Sequence, residues 1–247
     1  MKPIQIVIPM AGRGQRFRDA GISVPKMLIP VAGKPMLQWA LESLTPHFPG
    51  NTILFVCLEE HLEQGELETV IRSCCGNAVI RSLPEVTGGQ AETVLSTEAC
   101  LDPELPLLIY NCDTYTESSI GRTIRTRGNE ADGIISVFTS ASPAYSYVRT
   151  DEGDRVAEVR EKRVISNRAT TGLYYFRQAG LFLESAEEAV RFGTAEGETY
   201  VAPLYNRLIA RGFTVVADQA DRCFPLGTPE EAASFTRNYR KRESDGA

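Results

Sequence analysis

The run Pro3-Ile4-Gln5-Ile6-Val7-Ile8-Pro9 constrains this chain most, because it reads as a short apolar strand leading straight into an open turn. Met10-Ala11-Gly12-Arg13-Gly14-Gln15-Arg16-Phe17 follows as a glycine-bearing loop, and Pro25-Lys26-Met27-Leu28 comes soon after it. Glycines let backbone N–H groups approach phosphate oxygens, and Arg and Lys supply countercharge. A strand, a glycine turn and basic residues in that order can hold a phosphate chain at the strand's carboxyl end.

Strand-like and helix-like segments then alternate. Residues 36–44 read as a helix opened by Gly33-Lys34-Pro35, 52–57 as a buried strand, 60–73 as a helix and 78–80 as a strand. A second glycine loop spans 83–90, a helix 90–101, and a fourth strand 106–113 that ends on the carboxylate of Asp113. The second half differs. Residues 133–138 read as a strand, while 145–150, 155–161 and 171–176 look like shorter strands of antiparallel type, the first two joined by the turn Asp151-Glu152-Gly153-Asp154. Helices over 181–191 and 201–211, a strand over 213–217 and a helix starting at Thr228-Pro229-Glu230-Glu231 complete the pattern, with Thr228 as N-cap and Pro229 in the first turn. Residues 241–247 read as a polar, frayed tail. The alternation predicts an α/β fold: a Rossmann-like, mostly parallel sheet flanked by helices, with a small antiparallel subsheet in the second half. With no linker, repeat or low-complexity block, one domain over 1–247 is expected, its halves dividing near residue 115.

Composition removes several classes of function. A chain of 247 residues with 43% hydrophobic and 23% charged residues can bury a full core. The net charge of −6 argues against binding nucleic acid or an anionic membrane, so the basic groups that matter must be concentrated in a site. No apolar run reaches ~18 residues, so no membrane span is expected, and the immediate entry into a strand argues against a signal peptide. Six cysteines without C-x-x-C spacing read as reduced thiols in a cytoplasmic protein. Only His47 and His61 are present, which argues against a histidine zinc site or a serine–histidine triad.

Gly12-x-Gly14 alone is a weak signal. It is not the dinucleotide G-x-G-x-x-G, since Phe17 stands at the third glycine, and Gly33-Lys34 is followed by proline where a Walker loop needs Ser or Thr. Its company gives it meaning. In open α/β sheets the carboxyl ends of strands converge on one ligand crevice, so Arg16, Lys26 and Asp113 would meet there. An aspartate, two cations and glycine amides suit a magnesium–triphosphate complex, because Mg²⁺ binds through one or two carboxylates plus phosphate oxygens. Each residue also has a plainer reading. Lys26 could be solvated, Asp113 could cap a helix starting near Glu117, and Glu161-Lys162 could be an exposed charge pair. Tyr147, Tyr174 and Tyr200 could be core aromatics, and Glu198 part of a helix start.

From residue 4 to about 235 the motifs, in order, resemble those of the sugar-phosphate nucleotidyltransferases (nucleoside-diphosphate-sugar pyrophosphorylases), in the short form found beside polysaccharide and capsule biosynthesis. Ala11-Gly12-Arg13-Gly14-Gln15-Arg16 resembles that family's nucleotide loop, and Pro25-Lys26 its phosphate-contacting lysine. Thr87-Gly88-Gly89-Gln90-Ala91 is similar to its base-recognition turn, and Asn111-Cys112-Asp113 stands where its metal-binding aspartate lies. Glu158-Val159-Arg160-Glu161-Lys162 resembles its Glu-Lys pair, and Thr170-Thr171-Gly172-Leu173-Tyr174 its acceptor-pocket strand. The resemblance implies the nucleotide-diphospho-sugar transferase fold, with a nucleoside triphosphate, a phosphorylated acceptor and Mg²⁺ as ligands. It implies Arg16, Lys26, Asp113 and Lys162 as catalytic groups, with Asp113 on the metal. Met10, Ala11, Gly12, Arg13, Gly14, Pro84, Thr87, Gly88, Gln90 and Cys112 would join Arg16 and Lys26 around the nucleotide. Tyr147, Glu161, Thr171, Gly172, Glu198 and Tyr200 would join Lys162 around the acceptor.

Two departures stand out. Where many members carry a second metal aspartate in W-x-D-x-G-T, this chain has Cys223-Phe224-Pro225-Leu226-Gly227-Thr228, and proline cannot ligate a metal. Either one carboxylate plus phosphate oxygens suffices, or Asp221 takes over, or activity is lost and a silent nucleotide-sugar binder remains. Tyr145-Ser146-Tyr147 replaces a Tyr-Gly pair against the sugar ring, and the serine narrows that pocket. A cytidylyltransferase for a non-sugar phosphate or phosphonate is therefore a serious alternative to a sugar-phosphate enzyme. The base itself is not legible. The helices over 181–211 offer a surface for a second subunit, although nothing in the sequence requires one.

Overall fold

The computed structural model describes residues 3–193 and 197–245, with side chains described as far as residue 239. The chain runs β1 (Gln5–Pro9), α1 (Gln15–Asp19), β2 (Pro30–Val31), β3 (Lys34–Pro35), α2 (Met36–Leu44), β4 (Ile53–Leu58), α3 (Glu66–Cys74), β5 (Ala78–Leu83), α4 (Gln90–Leu95), β6 (Leu107–Tyr110) and β7 (Thr114–Glu117). It continues with α5 (Ile120–Arg127), β8 (Gly133–Thr139), β9 (Tyr147–Thr150), β10 (Val156–Arg160), β11 (Arg168–Phe176), α6 (Ala179–Phe192), α7 (Tyr205–Ala210), β12 (Val215–Gln219), β13 (Arg222–Pro225) and α8 (Pro229–Asp245).

β5, β4, β1 and β6 lie side by side and parallel. β11 enters antiparallel beside β6, β8 pairs with its other edge, and β12 runs parallel to β8. The β9–β10 hairpin joins the same sheet through the pair Ala169–Tyr147. The expected mostly parallel sheet with an antiparallel addition is thus the observed one. From β1 the chain steps outward to β4 and β5, then returns to place β6 on the opposite side. That reversal opens a crevice at the carboxyl ends of β1 and β6.

The side-chain period of two, with both faces of the sheet covered, explains why Ile6, Val7 and Ile8 of β1 are all apolar. Ile6 and Ile8 enter one core with Leu37 and Leu41 of α2, Leu67 of α3 and Ile120 of α5. Val7 enters the other with Val94 of α4, Phe182 of α6 and Leu208 of α7. Each fully buried aliphatic side chain contributes about 1.5–3 kcal/mol. A third cluster, Phe17, Trp39, Leu226 and Phe235, packs α1 and α8 together beside the glycine loop. Trp39 meets Phe235 edge-on at 4.9 Å and donates its indole N–H to the Val31 carbonyl at 2.7 Å.

Several expected boundaries move. The helix expected over 60–73 is a short 3-10 turn, Glu59–His61, followed after Gly65 by α3. The helix expected over 90–101 stops at Leu95 before a second 3-10 turn, Glu98–Cys100. The strand expected to end on Asp113 ends at Tyr110, because the Asn111 N–H turns to the Gly172 carbonyl and the chain re-enters a two-stranded pairing of β7 with β13. α8 runs to Asp245, so the expected fraying from residue 241 is not seen, and residues 246–247 lie outside the described part. All six thiols are free. No helix among the described residues is long and apolar enough to cross a membrane.

Asp218 on β12 is a buried acid outside the crevice. Thr123 donates to its Oδ1 at 2.6 Å, while Oδ2 is buried without a hydrogen-bond partner among the described residues. Burial raises its pKa, so its contribution to stability is fully present below the unfolded carboxylate value near 3.9 and is lost as pH rises through the folded value. Asp218→Asn is expected to gain in Tm on the wild type as pH rises from 4 to 8, because the variant has no carboxylate to charge in the buried site. A constant difference across that range would contradict the assignment.

Candidate active site

A cleft of about 620 Å³ occupies the crevice at the strand ends. Its first wall is the turn after β1, where Pro9, Met10, Ala11 and Gly12 face the space with Arg16 of α1. Met10 is held by its N–H to the Val56 carbonyl at 2.8 Å, which extends the β1–β4 register by one residue. Gly14 has φ +65°, and a Cβ there would lie 3.0 Å from the Lys26 Cβ. Gly14 therefore shapes the turn and lets Lys26 approach without itself facing the cleft.

Lys26 begins a 3-10 turn (Lys26–Leu28), and its Nζ lies 2.7 Å from Oδ2 of Asp113, which follows β6. Both side chains are about one-fifth exposed. Burial disfavours the lysine charge, but the Asp113 carboxylate overrides that cost, and the net effect is a raised pKa despite repulsion from Arg16. Cys112 beside it is buried and its thiol is pushed up to about 11, so it stays protonated near neutral pH.

The second wall is the loop after β5 and the start of α4. Thr87, Gly88 and Gln90 line the cleft, and the Gln90 amide donates to Asn111 Oδ1 at 2.5 Å. Gly88 is bound through its carbonyl to the Thr199 N–H at 2.9 Å, which ties this loop to the segment carrying Glu198 and Tyr200. The third wall comes from the second half of the chain. Thr171 and Gly172 lie at an irregularity of β11, where pairing with β8 lapses between Thr170 and Tyr174. Glu161 and Lys162 follow β10 in a turn where Lys162 adopts φ +50°, a region that costs a non-glycine residue about 1–3 kcal/mol and clusters at functional sites. Lys162 donates to the Tyr200 hydroxyl at 2.5 Å and lies 4.7 Å from the centre of its ring. That bond leads the causes of its raised pKa, with Glu161 and Glu198 also favouring the charge.

Most of the residues singled out from sequence therefore meet in one cleft. Four do not face it. Arg13 turns outward to Glu60 at 3.3 Å, and Gly14 sits behind Lys26. Pro84 is exposed on the loop before the cleft's edge at Val86. Tyr147 is a core aromatic: it is fully buried, and its hydroxyl donates to the Ser142 carbonyl at 2.7 Å. Its two predecessors face the cleft instead. Tyr145 donates to Glu231 Oε1 at 2.6 Å, and Ser146 donates to Glu161 Oε2. Sequence reasoning passed over Asn111 and Glu231 as site residues. Asn111 stands in the same motif as Asp113, whereas Glu231 arrives only through the folding of α8, where Thr228 Oγ1 accepts its N–H at 3.2 Å.

The fit to a metal can be judged from the donors. Among the described residues no cluster of three or more His, Cys, Asp or Glu could hold an ion. Pro225 lines the cleft without a donor, and Asp221 is exposed and does not line the cleft in this structure. A Cβ on Gly227 would lie 2.9 Å from Asp113 Oδ2 and 3.6 Å from Glu231 Oε2, so two carboxylates flank one point. This hard, carboxylate-poor set fits Mg²⁺ held chiefly by phosphate oxygens and water.

Comparison with known proteins agrees with the fold. A model of the nucleotidyl transferase family matches residues 5–212. The bifunctional protein GlmU of Novosphingobium aromaticivorans is 26% identical over 259 residues, covering 99% of this chain and 54% of that protein. GlmU of a Janthinobacterium strain is 26% identical, covering 88% of this chain and 47% of its own. This chain thus spans about half the length of the curated relatives it matches. Among solved structures, the nucleoside-diphosphate-sugar pyrophosphorylase of Vibrio cholerae superposes with a TM-score of 0.81 at 27% identity, covering 94% of this chain and all of that one. A UDP-glucose pyrophosphorylase complexed with UDP-glucose shares the fold at TM-score 0.79 and 18% identity, covering 98% of this chain and all of that one.

One substitution tests how the second and third walls are joined. Gly172 has φ +85°, and a Cβ there would lie 2.4 Å from Asn111 Nδ2. Gly172→Ala is expected to lower Tm by several degrees, at about 2–4 °C per kcal/mol for a chain of this length. An unchanged Tm would show that Asn111 is not fixed against β11.

Proposed function

This chain belongs to the nucleotidyl transferase family, and we propose that its cleft transfers the nucleotidyl group of a nucleoside triphosphate to a phosphorylated small molecule, releasing pyrophosphate. The observation that carries the reading is the 2.7 Å contact of Lys26 with Asp113 in the cleft, with Arg16 and the glycine turn on one side and Lys162 on the other. Cations thus flank both sides of the bond to be made.

In this reading an oxygen of the acceptor's phosphate or phosphonate attacks the α-phosphorus in line. The bond from the α-phosphorus to the bridging oxygen breaks, and its electron pair leaves with pyrophosphate. No protein nucleophile is needed, because the attacking oxygen is already anionic at neutral pH. The protein's work is positioning and stabilisation of developing charge. Arg16 and the amides of the Gly12 turn face the departing pyrophosphate, and Lys26 covers the α-phosphate. Lys162, held by Tyr200, draws in the acceptor's phosphate. Asp113 would hold Mg²⁺, which when bound neutralises charge on the phosphate oxygens. In the free protein Lys26 and Asp113 neutralise each other, which stores both partners of the triphosphate complex without an unpaired buried charge.

The acceptor is a sugar phosphate or a smaller phosphate or phosphonate. Ser146 supports the smaller kind, because it fills space in the cleft and is engaged with Glu161. Pro225 in the cleft wall supports one further reading, a silent nucleotide-sugar binder. Release of pyrophosphate separates these readings. Lys26→Ala and Asp113→Asn are each expected to cut turnover by about 10²–10³-fold, the cost of removing one transition-state donor, about 2.7–4 kcal/mol. Tm recorded on the same samples reports whether the fold survives. Near wild-type turnover in either variant would sink the assignment.

A further inference from the structure

We propose that the acceptor carries a positive charge of its own, an ammonium group a short reach from its phosphate or phosphonate, held between Glu161, Glu231 and the aromatic wall around Tyr145. The inference rests on reading the cleft as a nucleotidyltransferase site and deepens it by naming the acceptor's class.

The two ends of the cleft differ in charge. Arg16 and Lys26 outnumber Asp113 at the nucleotide end, whereas Lys162 is the one cation lining the acceptor end among the described residues. Glu161 and Glu198 act on it there, and Glu231 stands between the two ends, its Oε2 3.6 Å from a Cβ placed on Gly227 that Asp113 Oδ2 also flanks. Lys162 is itself engaged, bonded to the Tyr200 hydroxyl and seated over that ring. A doubly anionic acceptor without a cation would enter a half whose lining is net negative, which a charge-complementary partner avoids.

The arrangement of the carboxylates adds shape to the charge. Two consecutive residues, Tyr145 and Ser146, each donate a hydroxyl to a carboxylate from a distant part of the chain, Glu231 from α8 and Glu161 from the turn after β10. Both carboxylates are thereby tied to one short segment. Phe138 meets the Tyr145 ring edge-on at 5.3 Å, and Tyr174 closes the wall behind Ser146. Carboxylates beside aromatic rings are the surroundings in which an ammonium group is favoured over water. Sugar hydroxyls could also donate to these oxygens, but they would bring no charge to offset the three acids.

Pairs of acceptors that differ in charge alone test this. Pyrophosphate release would be followed with Mg²⁺ and each common nucleoside triphosphate. The pairs are phosphocholine against 3,3-dimethylbutyl phosphate, phosphoethanolamine against propyl phosphate, and 2-aminoethylphosphonate against propylphosphonate, with glucose 1-phosphate alongside. The cationic member of at least one pair is expected to exceed its neutral isostere about tenfold or more in kcat/KM, and the winning pair distinguishes a primary from a quaternary ammonium. In Glu231→Gln and Glu161→Gln that ratio should fall toward one, chiefly through KM. Equal use of the neutral isosteres, or preference for glucose 1-phosphate, overturns the inference and leaves the transferase reading standing. A Glu231→Gln loss that strikes both members of a pair equally removes Glu231 from the ammonium site. No pyrophosphate from any combination defeats the transferase reading together with this one.

Discussion

Lys26 and Asp113 are 87 positions apart, and their contact holds the phosphate end of the cleft together. The ion pair fixes the 3-10 turn against the end of β6, and Gly14 allows that approach by taking a left-handed conformation beside the Lys26 side chain. A buried pair of this kind adds little net stability, because desolvation offsets the attraction, yet removing one partner strands the other. Its value lies in position: two opposite charges are stored where a metal–triphosphate complex would need them.

The acceptor end is built by different means. It depends on the irregularity in β11, which turns Thr171 and Gly172 to the cleft, and on the hairpin whose following turn presents Glu161 and Lys162. It depends also on α8, which packs back through the cluster around Trp39 and thereby brings Glu231 to Tyr145. The phosphate end is therefore built from the turn after β1, the 3-10 turn at Lys26 and the end of β6, while the acceptor end draws on segments farther apart in the chain.

That difference governs how much was legible in the sequence. β1, α2 and β4 could be read nearly to their ends, because an apolar strand or a one-sided helix carries its period in a few residues. Arg16, Lys26 and Asp113 could be placed in one cleft because strand carboxyl ends converge in this architecture. Tyr147 is the first residue of β9 and turns into the core, whereas Tyr145 and Ser146 precede the strand and both face the cleft, so no alternation in the sequence separates the three. Glu231 could not be found at all, since its position follows from the packing of Phe235 and Trp39 and not from any motif. β7 and β13 escaped notice because four-residue strands paired only with each other leave no periodic signature.

A cleft that holds a nucleoside triphosphate through this pair of charges should be stabilised by that ligand. The most direct measurement is a thermal-shift series with ATP, CTP, GTP, UTP and dTTP, each with Mg²⁺. At least one nucleotide, at 100 times its Kd, is expected to stabilise the protein by about 2.7 kcal/mol. Stabilisation by none of the five would contradict it.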